Sequence, residues 1–95
     1  MATTVMSNKN TRTFVVDQQN GMVFVGTEAY VSTIAAQMIV HEAMKPTGLK
    51  FGGKWTNLED ENGNTILGVG YKLSLIDRIL GRKMDVVYEA LKQYS

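Results

Sequence analysis

The sequence predicts an α+β domain made of two β-hairpin–helix units in the order ββαββα, with an antiparallel sheet and helices packed on one face. Asn-Gly pairs at 20–21 and 62–63 each lie between segments of strand-like composition, and each candidate hairpin precedes a segment with apolar residues at helical spacing. Asn-Gly favours tight hairpins because both central residues of a type I′ turn need positive φ. The two halves repeat this pattern, which indicates two similar units that share one core.

The first predicted hairpin turns at Asn20-Gly21. With these residues as the loop, Asp17 lies opposite Phe24, and Val16 lies opposite Val25. Both faces of the hairpin are then partly apolar, and two such faces need cover from a helix or from a partner chain. We therefore expect a protein interface on the second face, at Val15, Met22 and Phe24.

A helix is predicted over Glu28–Met44, with Thr27 as its cap and Lys45-Pro46 at its end. Its expected apolar stripe comprises Val31, Ile34, Ala35, Met38 and Ile39. A second helix is predicted from Ser74, with an apolar side of Ile76, Ile79, Leu80, Met84, Val87, Ala90, Leu91 and Tyr94, and with a bend or break near Gly81.

The second predicted hairpin places aromatic residues and lysines on opposite sides of its first strand. Phe51 and Trp55 alternate with Lys50 and Lys54, at the period of two that strands require. A two-residue loop at Asn62-Gly63 sets Trp55 opposite Gly70, whereas a longer loop sets it beside Val69 and Tyr71, and both registers remain open. Gly68 and Gly70 share one face of the return strand, which indicates either the close approach of another backbone or room for an aromatic ring lying across the sheet.

The 95 residues fit one domain, which we place at 11–95, preceded by a flexible N-terminal arm at 1–10. No cysteine is present, so disulfides, thiolate catalysis and cysteine-bound zinc are excluded. No apolar run approaches the roughly 20 residues of a membrane helix, and the N-terminus has no apolar signal-peptide stretch. These features predict a cytoplasmic protein without a membrane partner.

Catalytic and metal-binding residues are sparse. His41 is the single histidine, and its neighbour Glu42 points about 100° away on a helix, so a general base lacks an orienting partner. The acidic segment 59–64 departs from the calcium-loop pattern, because its glycine lies between two asparagines. We expect a protein that is not an enzyme and that needs no metal or cofactor.

The basic residues form two groups within a net charge of only +1. Three lysines lie on the second hairpin, at Lys50, Lys54 and Lys72. A second group, Arg78, Arg82 and Lys83, lies on the last predicted helix, with acids one to three residues away. Clustered basic side chains are what phosphate recognition requires. The sequence therefore predicts nucleic-acid binding, to DNA or RNA, with the strand lysines as the main contacts.

The turn Asn62-Gly63-Asn64, the strand exit Gly70-Tyr71-Lys72 and the helix that follows resemble the C-terminal double-wing domain of the MotA-type transcription activators of T-even phages. The resemblance covers about a dozen positions in sequence, and its hairpin–helix alternation extends over 12–94. It implies a sheet and hairpin wings that bind promoter DNA, in a phage regulatory or host-takeover protein. This chain departs from the family because it has no upstream helical domain and no basic wing at Asn20-Gly21.

Two functions follow as expectations. The first is a small phage-type regulatory protein that binds nucleic acid through the basic hairpin wing. The alternative is an inhibitor of a host enzyme, or of a defence or toxin system, that binds protein through the apolar hairpin face. The apolar surface in excess of one small core also predicts a homodimer.

Overall fold

The computed structural model describes residues 3–7, 13–28, 32–60, 62–74 and 82–94. Its elements follow the order β1 (Thr3–Ser7), β2 (Thr13–Gln19), β3 (Met22–Thr27), α1 (Thr33–Met44), a 3₁₀ turn (Lys45–Thr47), β4 (Phe51–Glu59), β5 (Thr65–Lys72) and α2 (Arg82–Gln93). The strands form one antiparallel sheet in the order β1-β2-β3-β5-β4. The α+β class is confirmed, but the described order is βββαββα.

The additional strand corrects the prediction of a flexible arm at 1–10. Residues Thr3–Ser7 form five consecutive antiparallel pairs with β2, from Thr3 with Asp17 to Ser7 with Thr13. The polar composition of these residues suggested a flexible arm. In the structure they form an edge strand of the sheet, hydrogen-bonded to β2. Long-range pairing of this kind leaves little trace in local composition.

The first hairpin has the predicted register. Asn20 and Gly21 have φ of 49° and 76°, as a type I′ turn requires, and Gln19 lies opposite Met22. The predicted pairs of Asp17 with Phe24 and of Val16 with Val25 are both present.

One face of the sheet, the helix face, packs against α1 and α2. Its buried cluster joins strand residues Phe14, Val16, Val23, Val25, Val69 and Tyr71 to helix residues Val40, Ala43, Met44, Val87 and Leu91. The predicted apolar side of the last helix is confirmed at Val87, Ala90 and Leu91, whereas its predicted start and its bend at Gly81 lie outside the described residues.

Helix α1 differs from its prediction in both start and orientation. Thr27 ends β3, where its buried hydroxyl donates to the Thr13 carbonyl at 2.8 Å, and the helix cap is Ser32, which accepts from the Ala35 amide. The buried residues are Ala36, Val40, Ala43 and Met44. Ile34 and Met38 of the predicted stripe face solvent, because apolar residues surround this helix and spacing alone does not select one side.

The opposite face, the glycine face, carries Gly26, Gly68 and Gly70. Phe24 lies over Gly70, with its Cε1 atom 2.8 Å from where an alanine Cβ would be, which confirms the predicted aromatic ring across the sheet. Val15, Phe24, Leu58 and Ile66 form a second buried cluster there, with Met22 packed beside it. Of the predicted interface residues Val15, Met22 and Phe24, this single chain already buries Val15 and Phe24.

Within the described part of the chain, no helix combines the length and the apolar character needed to cross a membrane.

Candidate nucleic-acid interface

Strand β4 forms one edge of the sheet; Lys54 lies in it, Lys50 immediately precedes it, and Lys72 ends the neighbouring strand β5. The backbone amide of Lys72 donates to the carbonyl of Lys50 at 2.9 Å, which continues the register of Phe51 with Tyr71. Directly paired residues share a face, with Cβ atoms roughly 4.5–5.5 Å apart. Lys50 and Lys72 are thus side-by-side cations, and both are exposed.

Lys54 lies within a bulge of β4. Residues 52–54 oppose the single residue Gly70, and Gly53 has φ of 70°, a left-handed conformation that favours glycine. The bulge adds an even number of residues, so Phe51 and Trp55 keep the predicted common face. The spacing of about 13 Å that an unbroken strand gives two lysines four residues apart does not apply to Lys50 and Lys54.

The hairpin loop opposite these lysines is acidic and tightly held. The Asp60 carboxylate accepts from the backbone amides of Asn64 at 2.8 Å and of Asn62 at 2.9 Å. These hydrogen bonds, led by the one from Asn64, lower the pKa of Asp60. The connection spans residues 60–64, and Trp55 lies opposite Val69, so the longer of the two predicted loops is the one present.

Aromatic rings line the helix side of the β4 edge. Phe51 and Trp55 are 43% and 49% exposed, with centroids 5.3 Å apart and planes at 62°. His41 of α1 packs edge-on against Phe51 at 5.3 Å, and the Trp55 indole N–H donates to the Gln37 side-chain oxygen at 3.1 Å. Helix α1 thereby holds both exposed rings in place.

A buried hydroxyl anchors this group of rings. The Tyr71 hydroxyl lies 2.8 Å from Nδ1 of His41, and it donates to that nitrogen in the tautomer that carries the imidazole proton on Nε2. Burial raises the pKa of Tyr71, so its hydroxyl stays protonated far above neutral pH. His41 is exposed, and its second ring nitrogen is left for solvent or a ligand.

The lysines of the edge are not neutralised within the described chain. There, the ion pair is Lys45 with Glu42 at 3.5 Å, and no carboxylate lies within ion-pair distance of Lys50, Lys54 or Lys72. Asp85 and Glu89 line a groove of about 540 Å³ between α1 and α2, and Glu28 and Asp60 line a cavity of about 430 Å³ near the hairpin loop. Both concave regions carry carboxylates that repel phosphate, whereas the β4 edge carries cations.

The side chains of the second predicted basic group lie outside the described part of the structure. Arg78 lies outside the described residues, and Arg82 and Lys83 begin α2 with side chains outside the described part. Sequence reasoning did not identify Phe51 and Trp55 as exposed rings of this edge. The available clue was their position next to lysines in a strand with two adjacent glycines, Gly52 and Gly53, which are typical of a bulged edge.

Comparisons with models of known protein families, with curated proteins and with solved structures gave no match.

Proposed function

We propose that the protein is a small, non-enzymatic regulator that binds nucleic acid, with Lys50, Lys54 and Lys72 contacting phosphates along the β4–β5 hairpin. The observation that carries this proposal is the direct cross-strand pairing of Lys50 with Lys72 without a neutralising carboxylate among the described residues. Like charges directly opposite each other destabilise a sheet. A phosphate between them relieves that repulsion, which makes anion binding favourable at this point.

The resemblance to the phage double-wing domains supports the same proposal, because those domains also bind DNA with a sheet and hairpin wings. It extends the proposal to a phage regulator acting in the cytoplasm of its host.

A simpler role for the same residues is protection of the sheet edge. Lysines and a bulge on an edge strand prevent pairing with other strands, whether or not a ligand binds. The two roles differ in one measurable respect: phosphate contacts make affinity fall steeply with salt concentration, whereas edge protection alone leaves no nucleic-acid affinity to measure.

The experiment is a titration of labelled DNA and RNA at several salt concentrations with the Lys50→Ala, Lys54→Ala double variant. We expect weaker binding and a salt slope smaller by roughly 1.4–1.8, since each phosphate contact contributes about 0.7–0.9. The Arg78→Ala, Arg82→Ala variant tests the rival basic group. The Lys45→Ala, Lys92→Ala variant is the charge-matched control, because it removes the same net charge at exposed positions away from the pair.

Equal affinity and equal slope for the parent and the strand variant, with unchanged melting temperature, contradict the proposed contact surface. Loss of binding in the Arg78, Arg82 variant alone moves the surface to the region that precedes and begins α2.

A second candidate is binding to protein, either a host protein or a second copy of the chain. Ile34 and Met38, four residues apart on α1, are 72% and 68% exposed. Gln37 lies between them and accepts the Trp55 hydrogen bond, so these side chains and the exposed rings occupy one side of the molecule. We propose that a homodimer, if formed, uses this α1 surface in place of the buried hairpin face.

A further inference from the structure

We infer that the ligand of the β4 edge is a single-stranded nucleic acid whose bases stack on Phe51 and Trp55. This inference rests on the proposed function and names its substrate class. It starts from the exposure of the two rings, each of which offers about half of its surface to solvent. Exposed aromatic rings beside lysines are how proteins hold single strands without reading their sequence.

The chemistry of base faces separates single strands from duplexes. Inside a duplex the faces of the bases are covered by neighbouring bases, so a side-chain ring has nothing to stack on unless the duplex is opened. In a single strand the bases are free to separate and stack on protein rings. Lysines alone suit either ligand, but lysines next to exposed rings gain the additional stacking contact only with the single strand.

The relative orientation of the rings agrees with this. The planes of Phe51 and Trp55 meet at 62°, so a pair of parallel stacked bases cannot lie flat on both rings. Two bases that cover both rings must be splayed apart, which a flexible single strand permits. Rings that are already held in place also lose less conformational entropy on binding. The Trp55 bond to Gln37 and the His41 contact with Phe51 supply that fixation.

The placement of the charges completes the argument. Lys50 directly precedes β4 and Lys54 lies in it, each immediately before one of the two rings in the chain. Because successive side chains point to opposite faces, Lys50 and its cross-strand partner Lys72 lie across the edge from Phe51. A strand of nucleic acid that runs along β4 meets cations on one side of the edge and rings on the other, which matches the separation of phosphates from bases in a single strand.

The experiment uses Trp55, which is the one tryptophan of the chain and therefore the sole source of indole fluorescence. Oligothymidine and oligouridine of about 12 nucleotides, and a blunt duplex hairpin with the same number of phosphates, are titrated against the full chain. We expect the single strands to bind more tightly than the duplex and to quench the fluorescence on binding. The two homopolymers separate DNA from RNA as the source of the strand.

Phe51→Leu is the matched variant, because leucine keeps apolar bulk at this position and removes the aromatic face. Stacking of one base corresponds to roughly a 5- to 150-fold change in affinity, so single-strand binding should weaken by a factor in that range. Duplex binding should stay the same. Met38→Leu, on the same side of the molecule, should change neither affinity.

Three results overturn the inference. Tighter binding of the duplex, with unchanged Trp55 fluorescence, removes the single-strand assignment and leaves the proposed nucleic-acid function standing. Unchanged single-strand affinity in Phe51→Leu, with an unchanged melting temperature, removes the stacking role of Phe51 and also leaves the proposed nucleic-acid function standing. Absence of binding to every oligonucleotide at low salt removes both this inference and the proposed function.

Discussion

Tyr71 shows how one buried hydroxyl links the core to the candidate interface. It belongs to the buried cluster of the helix face, yet its oxygen reaches the exposed His41 ring. Sequence analysis placed Tyr71 on the same strand face as Val69 and treated His41 as an isolated helix residue. The pairing joins residues 30 apart in the chain, so local spacing contained no information about it.

We predict that Tyr71 makes stability depend on alkaline pH. Burial raises its pKa in the folded state, so the folded protein holds this proton more tightly than the unfolded chain does. The resulting contribution to the free energy of unfolding is present at pH values below 10.0, the pKa of this tyrosine in the unfolded chain. It is lost progressively as the pH rises above that value. In urea unfolding at pH 8–11, the free energy of unfolding should fall less with rising pH for Tyr71→Phe than for the parent. Parallel curves for the two proteins contradict this.

Asp17 gives a second prediction at this scale. Its carboxylate is buried, with one oxygen accepting from the Gln19 amide at 2.5 Å and the other without a hydrogen-bond partner. A buried charge with incomplete hydrogen bonding costs more than an amide of the same shape. Asp17→Asn should therefore raise the free energy of unfolding at neutral pH, by about 1 kcal/mol. A fall in stability on chemical denaturation instead indicates that the charge has a stabilising partner.

At the scale of elements, the residues of each turn determined whether the register of its hairpin could be predicted. The Asn20-Gly21 pair specifies a two-residue turn, and with it every pairing between β2 and β3. At the second hairpin the same dipeptide lies within a longer connection, because Asp60 captures the amides of Asn62 and Asn64. The same residues are compatible with a two-residue turn and with a longer loop held by the Asp60 carboxylate. Both are local structures, so the sequence alone did not decide between them.

Asp60→Ala should loosen this connection and lower the stability of the β4–β5 hairpin. Because hydrogen bonds lower the pKa of Asp60 in the folded state, its contribution is present above its ordinary value of 3.8 and disappears as the pH falls below that value. Thermal melts should show a difference between the parent and the variant at pH 7 that narrows as the pH falls below 3.8. A gap of constant size across that range contradicts the role of the ionised carboxylate.

The glycine face provides a matched pair of substitutions. A Cβ at Gly70 would lie 2.9 Å from the Lys54 carbonyl oxygen, which belongs to the backbone of β4 and cannot move without shifting the edge strand. At Gly52 the nearest atom is the end of the flexible Met22 side chain, and the others are 3.4 Å away. Gly70→Ala should cost roughly 1–3 kcal/mol, and Gly52→Ala much less, in equilibrium unfolding. Equal costs contradict the close strand approach at Gly70.

At the scale of the whole molecule, the fold class followed from sequence but the distribution of surface did not. Two hairpins and two helices were identified from local residues, whereas β1 and the orientation of α1 depend on partners distant in the chain. Apolar side chains remain exposed in the structure, although Val15 and Phe24 of the first hairpin are not among them. The first hairpin is covered on both faces, and the excess lies on Ile34 and Met38 of α1.

This excess carries the last prediction, which is self-association through α1. Exposed apolar side chains are usually covered in an assembly, and two-fold dimers are the commonest one. Light scattering should give about twice the chain mass of 10.5 kDa at micromolar concentration. Burial of each side chain contributes roughly 1.5–3 kcal/mol, so Ile34→Gln with Met38→Gln should weaken the dimer by at least two orders of magnitude. Glutamine preserves helix propensity and adds no charge that would alter nucleic-acid binding.

Val86→Gln is the control for this variant, because Val86 is an exposed apolar residue on the other helix, α2. It should leave the mass unchanged, and neither change should lower the stability of the monomer, since the replaced side chains already face solvent. A parent protein that scatters as a 10.5 kDa monomer contradicts the dimer. In that case Ile34 and Met38 remain as an uncovered apolar surface beside Trp55, and a partner other than a second copy of the chain has to account for them.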